Sequence, residues 1–185
     1  IMGLSYHNEK RYAKAADWFS RATKFQDEVY PPAWHFLGWA TYYLGHSSQS
    51  KEAFQRFLIL QGDEPDSMFA LGLIAMEEGQ SKKAMKWFQQ SINMCKGNQQ
   101  LMQSIASKSF ARMSDVLESQ GRIDDAVVMY LRAIDLNPRL YEVYHRLSNI
   151  YRKQGELQLA ENAQKQFFLT RDIIRPDLKH TSFPE

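Results

Sequence analysis

A spacing of 34 residues recurs along the chain and restricts its fold more than any other feature. Gly121 and Gly155 stand 34 positions apart, as do Met113 and Leu147, Leu117 and Tyr151, and Ala126 and Ala160. Upstream, Leu37-Gly38 returns as Leu71-Gly72, and Gly45 returns as Gly79. A fixed period of this length marks stacked structural units, none of which can bury its apolar side alone. Within residues 107–140 the unit reads as two amphipathic helices joined by a tight turn, and residues 141–174 nearly repeat it. Small residues (Gly38, Gly72, Ser114, Ser148) sit beside a large apolar one in the first helix of each unit. Ala15, Ala53, Ala84, Ala126 and Ala160 supply small positions in the second. Such pairing of large with small is what close approach of two helices requires.

At these positions the chain resembles the tetratricopeptide repeat family, whose pattern over 34 residues is W-x2-L-G-x2-Y, then A-x3-F, then P. Trp34, Leu37, Gly38 and Gly45 match one repeat, and Leu71, Gly72, Gly79, Ala84 and Phe88 the next. Met113, Leu117, Gly121, Ala126, Tyr130, Ala133 and Pro138 match a third; Tyr144, Leu147, Tyr151, Gly155 and Ala160 match a fourth. Tyr12, Ala15, Phe19 and Ala22 look like the second half of an earlier one. The resemblance implies an all-α fold: a right-handed superhelical solenoid of antiparallel helix pairs, about four and a half repeats long. The expected domain spans 1–174, with repeats near 1–30, 31–64, 65–98, 107–140 and 141–174, and an irregular tail at 175–185.

Three stretches depart from the pattern. Ala53 stands eight positions after Gly45 where five is usual, so the reading is a lengthened turn at 45–50, Ser50 as helix N-cap, and a shortened helix over 51–60. Residues 99–106 are an insertion, since Gly79 and Gly121 are 42 apart; with no Gly or Pro, they predict a first helix lengthened by two turns, over about 98–119. In the last repeat Gln164 stands where an aromatic is expected and Phe167 where an alanine is, as befits a helix that caps the stack. At the other end, residues 1–7 read as the end of a helix, which suggests a fragment of a longer protein.

Composition limits the chemistry. The 185 residues carry a net charge of +2 and a single cysteine, Cys95, so no internal disulfide forms and an intracellular, cytoplasmic setting is favoured. No apolar run is long enough to cross a membrane. The five histidines (His7, His35, His46, His145 and His180) never fall at i, i+3 or i+4, and no HExxH or CxxC is present, so no metal site is expected. Neither GxGxxG, GxxxxGKS nor GxSxG occurs, so no cofactor and no catalytic residues are expected. Asp66, Glu77, Asp115 and Glu118 interrupt the basic residues, which argues against nucleic acid.

Function then falls to the face not used for stacking. In proteins of the resembled family the first helix of each pair lines a concave groove. Carried over by position, that groove holds His35, Trp39, Tyr42 and Tyr43, then Phe69, Leu73 and Met76, then Lys108, Arg112 and Asp115, then His145, Asn149 and Arg152. One half is aromatic and apolar, the other charged and partly cationic. It suits a protein segment: an amphipathic helix, or an extended stretch with an apolar anchor and an acidic end. The carboxylate clamp of chaperone-binding members is not expected. Lys108 and Arg112 match two of its positions, but His35, Trp39 and Ala70 occupy the other three. The expectation is a non-enzymatic binding scaffold, with self-association also open. The alternative is an accessory repeat domain of a larger enzyme or complex.

Overall fold

The structure, a computed structural model, describes residues 2–25 and 30–178. Every regular element among the described residues is helical. The chain forms two compact units, Ile1–Met94 and Cys95–Glu185.

The first unit contains α1 (Met2–Asn8), α2 (Tyr12–Phe25), α3 (Pro32–Tyr43), α4 (Ser47–Gln61), α5 (Pro65–Glu77) and nearly all of α6 (Ser81–Cys95). Local chemistry sets the helix ends. Pro65 opens α5, and the Glu64 side chain accepts hydrogen bonds from the backbone N–H groups of Asp66 and Ser67 at 2.9 and 2.7 Å. These are donors that a helix start otherwise leaves unpaired. Gly79 ends the pair's turn at φ +71°, a backbone conformation that costs other residues a steric penalty.

Helix pairs close on a glycine–aromatic contact. A β-carbon on Gly38 would lie 2.8 Å from the ring of Phe54, and one on Gly72 would lie 2.5 Å from the ring of Phe88. Both rings are fully buried. Burying a phenylalanine contributes about 1.5–3 kcal/mol, so each pair depends strongly on the bare backbone opposite. One core cluster joins Ala15, Phe19, Ala33 and Ala40; another joins Phe54, Ala70, Leu71 and Ile74.

Here the expected turn at 45–50 is corrected. The helix over 51–60 is not shortened: α4 begins at Ser47 and runs fifteen residues. Ser50 is no cap. It is fully buried inside α4, and its Oγ donates to the Gly38 carbonyl oxygen at 2.8 Å. Ser50 lies 34 positions before Ala84, so it, and not Ala53, fills the small position of its repeat. Phe54 then falls 34 positions before Phe88, and the Gly38–Phe54 pair repeats Gly72–Phe88.

The second unit contains α7 (Gln99–Leu101), a π-helical turn (Met102–Ala106), α8 (Ser107–Ser119), α9 (Ile123–Leu136), α10 (Tyr141–Gln154) and α11 (Leu157–Ile174). The Asn98 side chain caps α7 by accepting from Leu101 N at 3.1 Å. The backbone stays right-handed helical at Leu101, Ala106 and Ser107, so α7, the π turn and α8 are one continuous rod. The buried residues of α10 are Val143, Leu147, Ser148 and Ile150, and those of α11 are Ala160, Ala163 and Arg171. Ser148 Oγ donates to the Ala160 carbonyl at 3.0 Å, tying the two helices as Ser50 ties α3 to α4. Pro176–Leu178 forms a short 3-10 turn. The rest of the expected tail, 179–185 with His180, lies outside the described residues.

Candidate functional site

In the first unit the candidate residues of α3 form a ring system with α2. Tyr12 stacks on Tyr43 with centroids 4.5 Å apart, and Tyr43 stacks on Trp39 at 5.7 Å. Trp39 also meets Phe54 edge-on at 5.4 Å, which anchors the ladder to the core. Tyr43 remains 52% exposed. Partial burial, with Tyr12 and Asp66 nearby, holds its phenol above the ordinary tyrosine range.

The polar edges of this cluster are engaged by α5. Trp39 Nε1 donates to Asp66 Oδ2 at 2.8 Å, and Tyr42 OH donates to Glu77 Oε1 at 2.5 Å. His35 Nδ1 lies 2.9 Å from Ser67 Oγ, and its Nε2 lies 3.5 Å from Asp66 Oδ2. His35 also packs against Phe36, Phe54 and Phe57, so its imidazole is a joint between α3, α4 and α5. The candidates on α5 divide. Leu73 and Met76 are half-buried, whereas Phe69 is 7% exposed with its ring 5.8 Å from that of Phe88. That corrects the expected placement of Phe69: a ring buried against the second helix of its own pair does not reach a partner.

In the second unit Arg112 is tied up. It donates to Asp115 Oδ2 at 2.6 Å, and Arg146 Nε lies 4.0 Å from Asp115 Oδ1. Asp115 also accepts the phenolic hydrogen of the buried Tyr130 at 2.5 Å, with Glu118 Oε2 3.1 Å from the same hydroxyl. Burial and these two carboxylates push the Tyr130 phenol far above its ordinary value. Asp115 thus organises α8 and α9 instead of standing open, and Lys108 is exposed near the start of α8.

His145, Asn149 and Arg152 do converge. With Ser148 they line one side of a cavity of about 340 Å³, whose other side is Gln164, Phe167, Phe168 and Arg171 of α11. Arg152 Nη2 donates to Gln164 Oε1 at 2.9 Å. The His145 ring lies 5.2 Å from that of Phe167. The α11 residues were not among the sequence candidates. Gln164 and Phe167 carried a signal, as departures from the repeat pattern; Arg171, in the last turn of a helix, reads as surface. It is 8% exposed.

Among the described residues no three His, Cys, Asp or Glu side chains are grouped to hold a metal ion. No helix among them is long and apolar enough to cross a membrane.

Comparison with known proteins agrees with this architecture. The tetratricopeptide repeat pattern matches residues 37–98, 107–140 and 129–162. No curated protein sequence matches the chain. The fold is similar to that of MamA, with a TM-score of 0.74 at 15% identity over 95% of this chain and 98% of that one. It is also similar to PilW, described as a type IV pilus biogenesis factor, with a TM-score of 0.77 at 15% identity over 95% of this chain and 77% of that one. YrrB, described as a TPR protein with an unusual peptide-binding site, matches with a TM-score of 0.62 at 14% identity over 95% of this chain and 84% of that one. Phased motifs, helix pairs closed on small residues and the matched repeat patterns agree, and the chain belongs to the tetratricopeptide repeat family.

Proposed function

We propose that this chain is a non-enzymatic interaction module that holds a segment of a partner protein on the faces of its first helices. One observation carries the reading: the Tyr12–Tyr43–Trp39 ladder, rooted in the core through Phe54 and open at Tyr43. Rings rigidly stacked and half in water offer large contact area with little further loss of side-chain freedom on binding. An apolar anchor from an amphipathic helix or an extended segment suits that surface. In the second unit, Lys108, Arg146 and Arg152 are exposed cations suited to acidic residues of a partner. That YrrB is described as peptide-binding supports the class of partner.

The test is affinity capture with the intact chain beside a Tyr12→Ala/Tyr43→Ala variant, followed by titration of the captured partner as a purified segment. The expected result is a partner whose affinity falls about tenfold or more in the variant while its helical signal and melting stay intact. Equal affinity for both proteins overturns the reading. Sedimentation of both proteins over a range of concentrations separates partner binding from self-association through the same rings.

A further inference from the structure

We infer that the cavity between α10 and α11 is a binding site for a carboxylate carried on an apolar or aromatic group. The inference deepens the reading of α10 as a partner-facing helix and rests on it only for that face.

The charge of the lining is one-sided. Arg152 and Arg171 contribute to it, and among the described residues no Asp or Glu lines the cavity. Among the described residues Arg152 reaches two amide oxygens, Gln164 Oε1 at 2.9 Å and Asn149 Oδ1 at 3.4 Å. No carboxylate among the described residues neutralises it. A guanidinium offers five N–H donors in a fixed plane, and its preferred partner is a carboxylate bound through two of them. Arg152 therefore stands oriented by two amides with donor capacity left over.

Arg171 supplies the second cation from inside the fold. It is 8% exposed, and its Nε and Nη2 both donate to Asp172 Oδ1 at 2.9 and 2.7 Å. Asp172 balances the charge yet uses only two of five donors. The guanidinium carbon lies 4.9 Å over the ring of Phe168 and 5.5 Å over that of Phe167. These contacts fix the plane of Arg171 and place apolar ring surface beside the donors.

The apolar part of the lining points to the rest of the ligand. Phe167 and Phe168 bring rings into a cavity whose volume, about 340 Å³, falls at the small end of ligand pockets. Phe167 stands where the repeat pattern has alanine, and Gln164, which holds Arg152, where it has an aromatic. The two departures of the last repeat are thus both walls of this one cavity. A plain terminal cap needs a polar outer face; a cavity with two guanidiniums and two phenyl rings exceeds that need. The complementary ligand places an anion and an apolar group a few bonds apart, as a small aromatic acid does, or the last residue of a peptide.

Calorimetric titration of the whole chain tests this with four probes: 3-phenylpropionate, 3-phenylpropanol, and Gly-Gly-Phe as the free acid and as the amide. Saturable binding of at least one acid is expected below about 10 mM, with its uncharged counterpart about tenfold weaker or worse. Binding of phenylpropionate assigns the site to free small acids; binding of the peptide acid alone assigns it to chain termini. Arg152→Gln is expected to weaken the acid about tenfold. Gln164→Ala, which frees Arg152 from α11 but keeps its charge, is expected to retain most of the binding. Acid and uncharged probes binding alike overturn the inference, as does no saturation, or equal loss in Arg152→Gln and Gln164→Ala. None of these variants touches Tyr12 or Tyr43, so failure here leaves the aromatic ladder to be judged by its own test.

Discussion

The ring of Phe88 occupies the space that a β-carbon on Gly72 would need, 2.5 Å from its ideal position. α5 and α6 therefore meet at a distance that suits a bare backbone, and the ring that a new methyl group would displace is fully buried. Overpacking of this kind costs about 1–3 kcal/mol. Gly72→Ala is expected to lower the thermal midpoint by several degrees, and Phe88→Leu added to it to recover part of the loss. Calorimetric melting of the single and double variants checks both. An unchanged midpoint for Gly72→Ala would mean that the helices are not held at this distance.

Tyr130 makes alkaline stability a measurable property. Its folded phenol is raised well above the ordinary value near 10 by burial, Asp115 and Glu118. The folded chain thus keeps a proton that the unfolded chain releases. The stabilisation is fully present below pH 10 and is lost progressively as pH rises beyond it. In Tyr130→Phe, urea unfolding followed from pH 8 to 11 is expected to show a shallower decline than in the parent chain.

Cys95, the single cysteine of the sequence, is fully buried. Its thiol is expected to react with a disulfide reagent only when the surrounding helices open, at a rate that rises with denaturant along with unfolding. Fast labelling in native buffer would contradict this burial.

Tyr43 separates recognition from stability. Half of its surface is already in water, so Tyr43→Ala is expected to shift the melting midpoint by only a few degrees. The same change removes the middle ring of the ladder and is expected to weaken a captured partner about tenfold. Melting and titration of one protein preparation give both numbers.

The helix pairs were legible in the sequence because their physics is local and periodic. Gly121, Gly155 and the apolar positions between them recur at a spacing that only stacked helices reuse. The register inside α4 was not, because Ser50 and Ala53 are both small and both buried. Only the contact of Ser50 with the Gly38 carbonyl shows which of them faces the partner helix. Phe69 was misplaced for a related reason: helical spacing gives a residue's angle around its own axis but not how much of that angle its neighbours cover.

The sequence by itself determined that this chain is built of paired helices in a tetratricopeptide repeat order, and which residues lie on the first helix of each pair. Tertiary structure alone decided which of those residues remain available. Trp39 and Tyr42 give their polar hydrogens to α5, Asp115 is claimed by Arg112 and Tyr130, and His145, Asn149 and Arg152 open on a cavity completed by Arg171. Periodicity records the angle of a side chain about its helix. Accessibility depends on the distance and side chains of the next helix, which no single period encodes.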